Sequence, residues 1–242
     1  MRKLFKLALI AVALGPQVGC FPPAPEGAEP VVVVHGLGRI PASMSILETR
    51  LEVAGFRVIS FGYPSTSEPI EDHVERLDAE VARCCEAQRE SVHFVTHSMG
   101  GVLVRSFLAR ASSDYRGRVV MLSPPNQGSE LIDAFADSPM LRMFLGPSAV
   151  ALATDSTGVA SQLGSVHFSL GIITGNRSLN ALSSWLIPGP DDGKVSVDRA
   201  RVDGAADFLV LPATHTFIMN REDVATETIH FLRNGRFTDA LR

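Results

Sequence analysis

Cysteine is scarce in this sequence, basic residues are not in excess, and the apolar run near its start is too short to span a bilayer. Each shortage removes a class of protein. Three cysteines, two of them the neighbours Cys84 and Cys85, do not make a disulfide framework. Those two fall in a helical stretch and read as small buried hydrophobes. A formal net charge of −4 leaves no electrostatic footprint for nucleic acid. No internal repeat is visible, and low complexity is confined to a proline-rich stretch after residue 20.

What is present is an ordinary globular balance: 242 residues, 45% of them hydrophobic and 20% charged. That is enough to bury one full core. The first 20 residues stand apart from it. "MRKLFK" is a basic n-region and "LALIAVALG" an apolar h-region, the pattern of an export signal, with a marginal membrane anchor as the alternative. The segment ends "QVGC" and resembles a bacterial lipobox, with Gln17 where that pattern prefers an aliphatic residue. Cys20 is therefore a lipidation candidate, against plain cleavage and secretion. The expected location is the cell envelope, as a lipoprotein, or the periplasm or medium. Residues 21–30, "FPPAPEGAEP", read as a stiff solvated tether, and residues 31–242 as the domain.

Six apolar runs read as strands: 31–35, 56–63, 92–97, 118–123, 167–175 and 207–213. Most are continuously apolar, as a parallel sheet covered on both faces requires. Helical spacing appears between them, with Val74, Leu77, Val81 and Cys84 on one stripe and Leu47 and Leu51 on another. Further helices are expected after Ser98 and over 222–233. The expected fold is α/β, a doubly wound, mostly parallel sheet of about six strands with helices on both faces. Residues 130–165 break the alternation. They read either as an ordinary packed helix pair or as a cap whose Phe135, Met140, Met143 and Phe144 line an acyl pocket.

The chemistry gathers at the carboxyl ends of the strands, where such sheets bind ligands. "VTHSMGG" runs a strand into a helix through Ser98, and such a turn lifts a hydroxyl out of the sheet. Gly100 and Gly101 relieve the crowding, while Thr96 stands where glycine is usual. "VVVVHGLGR" ends a strand at His35 and places the Leu37 amide where it and the Met99 amide can face one oxyanion. A dinucleotide loop fails there, because Pro41 occupies the third glycine position. "IPGPDDGKVSV" offers Asp192 as the carboxylate that orients a histidine, with Asp191 as fallback. "LVLPATHTFIMN" puts His215 just past the last strand. His73, His93, His167 and His230 read as surface or satisfied core residues. His97 reads as packing, pointing away from the nucleophile. The adjacent Asp191 and Asp192 supply too few ligands for calcium, and no metal or other cofactor is expected.

With "VVVVHGLGR", "THSMGGVLVR", "LSPPNQGSEL", "GPDDGKVSV" and "THTFIMN" in that order, the chain resembles the α/β-hydrolase superfamily. More narrowly, it resembles small bacterial lipases and esterases related to triacylglycerol lipases and GPI-inositol-deacylase-like proteins. The resemblance spans residues 30–233 and implies a minimal α/β-hydrolase fold. It also implies Ser98 as nucleophile, His215 as base, Asp192 as acid, and Leu37 and Met99 as the backbone oxyanion hole. The implied activity is ester hydrolysis through an acyl-enzyme, on a small-molecule or lipid ester. Two rival readings are an acyltransferase or lipid-remodelling deacylase, and a non-catalytic binding protein of the same fold.

Overall fold

The computed structural model describes residues 25–110, 115–134, 138, 143 and 145–241. The export signal, Cys20 and three of the expected cap residues, Phe135, Met140 and Phe144, lie outside that set.

The chain enters the domain through β1 (Pro30–Val34), whose every residue is buried. Successive side chains of a strand point to opposite faces. Val32 and Val34 therefore join one core, while Val31 and Val33 join the other. This two-sided burial is why four valines stand in a row. A 3-10 turn and α1 (Ser45–Val53) lead to β2 (Arg57–Phe61), and α2 (Ile70–Cys85) to β3 (His93–His97). Then come α3 (Met99–Leu108) and β4 (Arg118–Leu122). Beyond these lie α4 (Glu130–Ala134), α5 (Val159–Gln162), β5 (Ser169–Gly175), α6 (Ala181–Leu186), α7 (Val197–Ala200), β6 (Asp207–Leu211) and α8 (Glu222–Asn234).

The six strands are all parallel, in the order β2-β1-β3-β4-β5-β6. One core packs Val74, Leu77 and Val81 of α2 and Val102, Leu103 and Phe107 of α3 against the sheet. The other packs Leu47 and Leu51 of α1 and Val224 and Phe231 of α8. Truncating a fully buried leucine such as Leu77 or Leu47 to alanine costs about 2–5 kcal/mol. The winding reverses between β1 and β3: the chain first steps outward to β2, then returns to the other side of β1. That reversal is the topological switch point, where loops diverge and leave a crevice.

Between β4 and β5 the described residues form short helices and turns. The 3-10 turn Pro147–Leu152 buries Ala151 and Leu152 in the main core, and Ala160 of α5 joins them. Met143 is exposed instead.

The two neighbouring cysteines depart from expectation. Cys84 and Cys85 are joined by a disulfide rather than standing as separate thiols. The cause is local. At Cys85 the backbone leaves the helical region (φ −145°, ψ 21°) as α2 gives way to a 3-10 turn. Side chains that would diverge on a regular helix are brought together there.

Candidate active site

β1 and β3 are adjacent, so their carboxyl ends deliver His35–Leu37 and Ser98 side by side. Ser98 has φ 54° and ψ −125°, a conformation disfavoured for a residue with a Cβ. Among the described residues the other non-glycine with positive φ is Ser123, at the end of β4. Backbone strain is thus confined to the carboxyl ends of two neighbouring strands, where the surrounding packing holds it.

The packing can be stated atom by atom. A Cβ on Gly100 would lie 2.7 Å from the His35 carbonyl, and one on Gly101 would lie 3.0 Å from Cβ of Pro124. A Cβ on Gly36 would lie 2.9 Å from Cβ of Ser98. The first turn of α3 therefore presses directly on the β1 loop. Thr96 is buried in β3, and its hydroxyl lies 3.3 Å from the position of a Gly101 Cβ. The bulk that replaces the customary glycine is absorbed by the missing side chain at residue 101.

Nε2 of His215 lies 3.0 Å from Oγ of Ser98, and Nδ1 of His215 lies 2.8 Å from Oδ2 of Asp192. The three residues, far apart along the chain, form one continuous line. The loop after β6 carries His215, whose amide also donates to the Asp192 carbonyl at 2.9 Å. The other carboxylate oxygen of Asp192 accepts the amides of Lys194 and Val195 at 3.0 and 2.8 Å. Burial opposes the charge on Asp192, but the neighbouring imidazole and these amides prevail and hold it below the ordinary carboxylate range. The Ser123 hydroxyl faces the same carboxylate without reaching hydrogen-bond geometry.

Asp191 takes a different role. Its Oδ1 accepts the Ser184 hydroxyl at 2.9 Å and the Gly193 amide at 2.7 Å. It ties α6 to the turn and does not reach His215. The amides of Leu37 and Met99 have no acceptor among the described residues. For Met99 this follows from its place at the start of α3, where amides lack helical partners. For Leu37 it follows from the β1 loop, which Gly38 fastens by donating to the buried Ser65 hydroxyl at 3.0 Å. His35 supports the same loop, its ring stacked on Tyr63 at 4.4 Å and its carbonyl accepting the Tyr63 hydroxyl at 2.7 Å.

His97 is the correction. Its ring is not idle packing: Nε2 lies 2.9 Å from the His215 carbonyl, and the two rings are 4.9 Å apart. Strand alternation does send His97 to the face opposite Ser98, but the loop after β6 folds over the sheet edge and meets it there. The carbonyl needs a donor, so the proton sits on Nε2. Nδ1 is left buried, without a partner. Burial, then the adjacent His215, hold His97 well below the ordinary imidazole range. No sequence spacing marks this contact, because it depends on where a distant loop lands.

The remaining histidines take no part in the line. His93 accepts the Arg118 amide at 2.8 Å, and His230 faces the Arg236 carbonyl. His73 is buried beside Tyr63 with neither ring nitrogen hydrogen-bonded. His167 is exposed. Among the described residues no cluster of histidine, cysteine or carboxylate side chains has the makings of a metal site.

A model of the alpha/beta hydrolase family matches residues 31–227. No curated protein matches the chain. Among solved structures, the mature Bacillus licheniformis lipase BlEst2 superposes with a TM-score of 0.67 at 18% identity, over 88% of this chain and 93% of that one. Phospholipase PlaB from Legionella pneumophila gives 0.64 at 18% identity, over 84% of this chain and 57% of the other. The metagenomic carboxyl esterase MGS0156 gives 0.57 at 19% identity, over 87% and 71%.

Proposed function

The chain belongs to the alpha/beta hydrolase family, and from that premise we propose that it is a serine hydrolase of carboxylic esters. The observation that carries the proposal is the 3.0 Å approach of His215 to the hydroxyl of a residue held at φ 54°. A serine that served only to turn the chain would need neither.

In this reading Oγ of Ser98 attacks the ester carbonyl carbon while its proton passes to Nε2 of His215. The carbonyl electron pair moves onto oxygen, and the oxyanion is met by the free amides of Leu37 and Met99. As the tetrahedral species collapses, the C–O bond to the alcohol breaks and His215 returns the proton to the departing oxygen. The acyl group is left on Ser98. Water, deprotonated by His215, then attacks the acyl carbon, releasing the acid and restoring the serine. Asp192 keeps Nδ1 protonated and stabilises the imidazolium formed midway. Mature BlEst2 is a lipase, PlaB a phospholipase and MGS0156 a carboxyl esterase. These names favour an ester substrate here too.

The same proposal places the protein outside the cytoplasm, exported by residues 1–20 and held at the envelope by a lipid on Cys20. The disulfide of Cys84 and Cys85 supports an oxidising compartment.

Two measurements test the chemistry. A fluorophosphonate probe should label the wild-type chain and not the Ser98→Ala variant. Hydrolysis of p-nitrophenyl esters should fall on the order of a millionfold in kcat in that variant. Near wild-type turnover by purified Ser98→Ala would remove the assignment.

A further inference from the structure

The segment between β5 and Asp192 turns its largest apolar side chains outward, although Ile187 is buried. α6 is a real helix, capped by Asn180, whose side chain accepts the amides of Leu182 and Ser183 at 3.1 and 3.4 Å. A helix on a globular protein normally turns its apolar stripe inward. Here the half-buried positions include Ser183 and Ser184, and the Ser184 hydroxyl is bonded to Asp191. Outward stand Leu179, just ahead of that cap, and Leu182 and Trp185 of the helix, three residues apart and 76%, 70% and 81% exposed. Phe217, two residues past His215, is 53% exposed, and Ile40, three past Leu37, is 66% exposed. Large apolar side chains thus stand in water on three of the loops that assemble the site.

The charges on those loops are equally one-sided. No residue between Arg177 and Asp191 is charged. Residues 35–44, 176–196 and 212–220, which leave β1, β5 and β6 at the edge that carries Ser98, hold the cations Arg39, Arg177 and Lys194. Their carboxylates are Asp191 and Asp192, both buried and already bonded. Among the described residues none of the three cations makes an ion pair. Arg39 is held at the rim by donating to the Thr216 carbonyl, 2.8 Å away. This local cationic excess lies on a chain whose formal net charge is −4.

We propose that the face around the site docks on an anionic phospholipid bilayer, with Leu179, Leu182 and Trp185 inserted at the level of the headgroups. The occupant follows from the chemistry of the rim. Apolar side chains that share their loops with unpaired cations complement a surface that is apolar beneath a layer of negative charge. A tryptophan at the edge of such a stripe suits the interface, because its ring is apolar and its N–H polar. The proposal deepens the ester-hydrolase reading and draws its purpose from it, since the bilayer would present acyl esters directly to Ser98.

Trp185 is the sole tryptophan of the chain, so its fluorescence reports on this patch alone. The experiment uses the full-length Ser98→Ala chain, which consumes no substrate. It is titrated with vesicles of phosphatidylcholine, and with vesicles that also contain phosphatidylglycerol. The expected result is a blue shift of Trp185 emission with at least about tenfold tighter binding to the anionic vesicles, weakened by salt. Leu179→Ser with Leu182→Ser should weaken that binding by about tenfold or more. In the Ser98 background that double variant should hydrolyse a soluble monomeric ester as wild type does. An emission that does not move at saturating anionic vesicles overturns the proposal, even if the chain sediments with them through its N-terminal segment. So does an emission already blue without lipid. If that blue emission depends on protein concentration, a second copy covers the stripe; if it does not, the chain's own apolar N-terminus does. A wild-type chain inactive on every ester would remove the hydrolase reading and leave this fluorescence result standing.

Discussion

Around Ser98 the backbone leaves no room: the first turn of α3 lies against the β1 loop so closely that a methyl group on Gly36 or Gly100 would overlap its neighbours. From residue 176 to 190, by contrast, the chain borders the same site with Leu179, Leu182 and Trp185 turned to solvent, and a Cβ on Gly189 would touch nothing. Both stretches serve one edge of one sheet. In the first, position is fixed by exclusion, and each atom is where it is because others cannot move. In the second, position is fixed by a cap and scattered hydrogen bonds, and the exposed side chains are left over for something outside the molecule. Substitutions that look alike on paper should therefore diverge sharply between the two.

The neighbours Asp191 and Asp192 give the largest contrast, since Asp192 meets His215 while Asp191 bonds Ser184 of the outer stretch. Asp192→Asn should lower kcat for ester hydrolysis by about 10⁴-fold, because the amide imposes the wrong tautomer on His215. Asp191→Asn keeps an acceptor for Ser184 and Gly193, and should change kcat by no more than a few-fold. Steady-state kinetics on one soluble ester decides it. Equal losses would mean that the turn, and not the carboxylate beside His215, sets the rate.

A smaller contrast comes from glycine. Gly100→Ala forces a methyl to within 2.7 Å of the His35 carbonyl. Such overpacking typically costs about 1–3 kcal/mol, and the displaced β1 loop carries the Leu37 amide, so kcat should fall with the melting temperature. Gly189→Ala meets no atom but sits at φ 75°, and should cost about 1 kcal/mol with kcat unchanged. Thermal unfolding and kinetics on both variants would expose the error if Gly189 proved the more sensitive.

What could be read in advance follows the same division. The strands were legible because two-sided burial demands unbroken apolar runs, as in residues 31–34. The turn at Ser98 was legible because steric exclusion writes glycine at residues 100 and 101. The partnership of His97 with His215 was not, since it depends on where the loop after β6 settles. Nor was the disulfide at Cys84 and Cys85, which needs a helix to end at Cys85, where helical spacing alone would continue it. The outward stripe at α6 is illegible for a related reason. Helical spacing puts Leu182 and Trp185 on one face, with Leu179 just ahead of the cap, but only the fold says that the face looks outward.

The smallest effect concerns pH, and it sharpens the inner region alone. His35, His73, His93 and His97 are all buried, and burial is the first cause that lowers each of them below the ordinary imidazole range. A group whose folded pKa is depressed gives up a proton on folding. Below about pH 6.5 the unfolded chain therefore binds more protons than the native one. Stability should be fully present above that pH and decline as the pH falls, by up to about 1.4 kcal/mol per pH unit for each such histidine. His97→Gln, whose amide can still donate to the His215 carbonyl, should flatten the slope of unfolding free energy between pH 6.5 and 5 (about one proton's worth). Because that donor is retained, kcat at pH 8 should stay within about tenfold of wild type, whereas His97→Ala should lower kcat further with KM little changed. A slope identical in wild type and His97→Gln would mean that His97 is protonated in the native state after all. Two cationic rings would then lie 4.9 Å apart whenever His215 held the serine's proton, and the imidazole of residue 97 would oppose the line it adjoins.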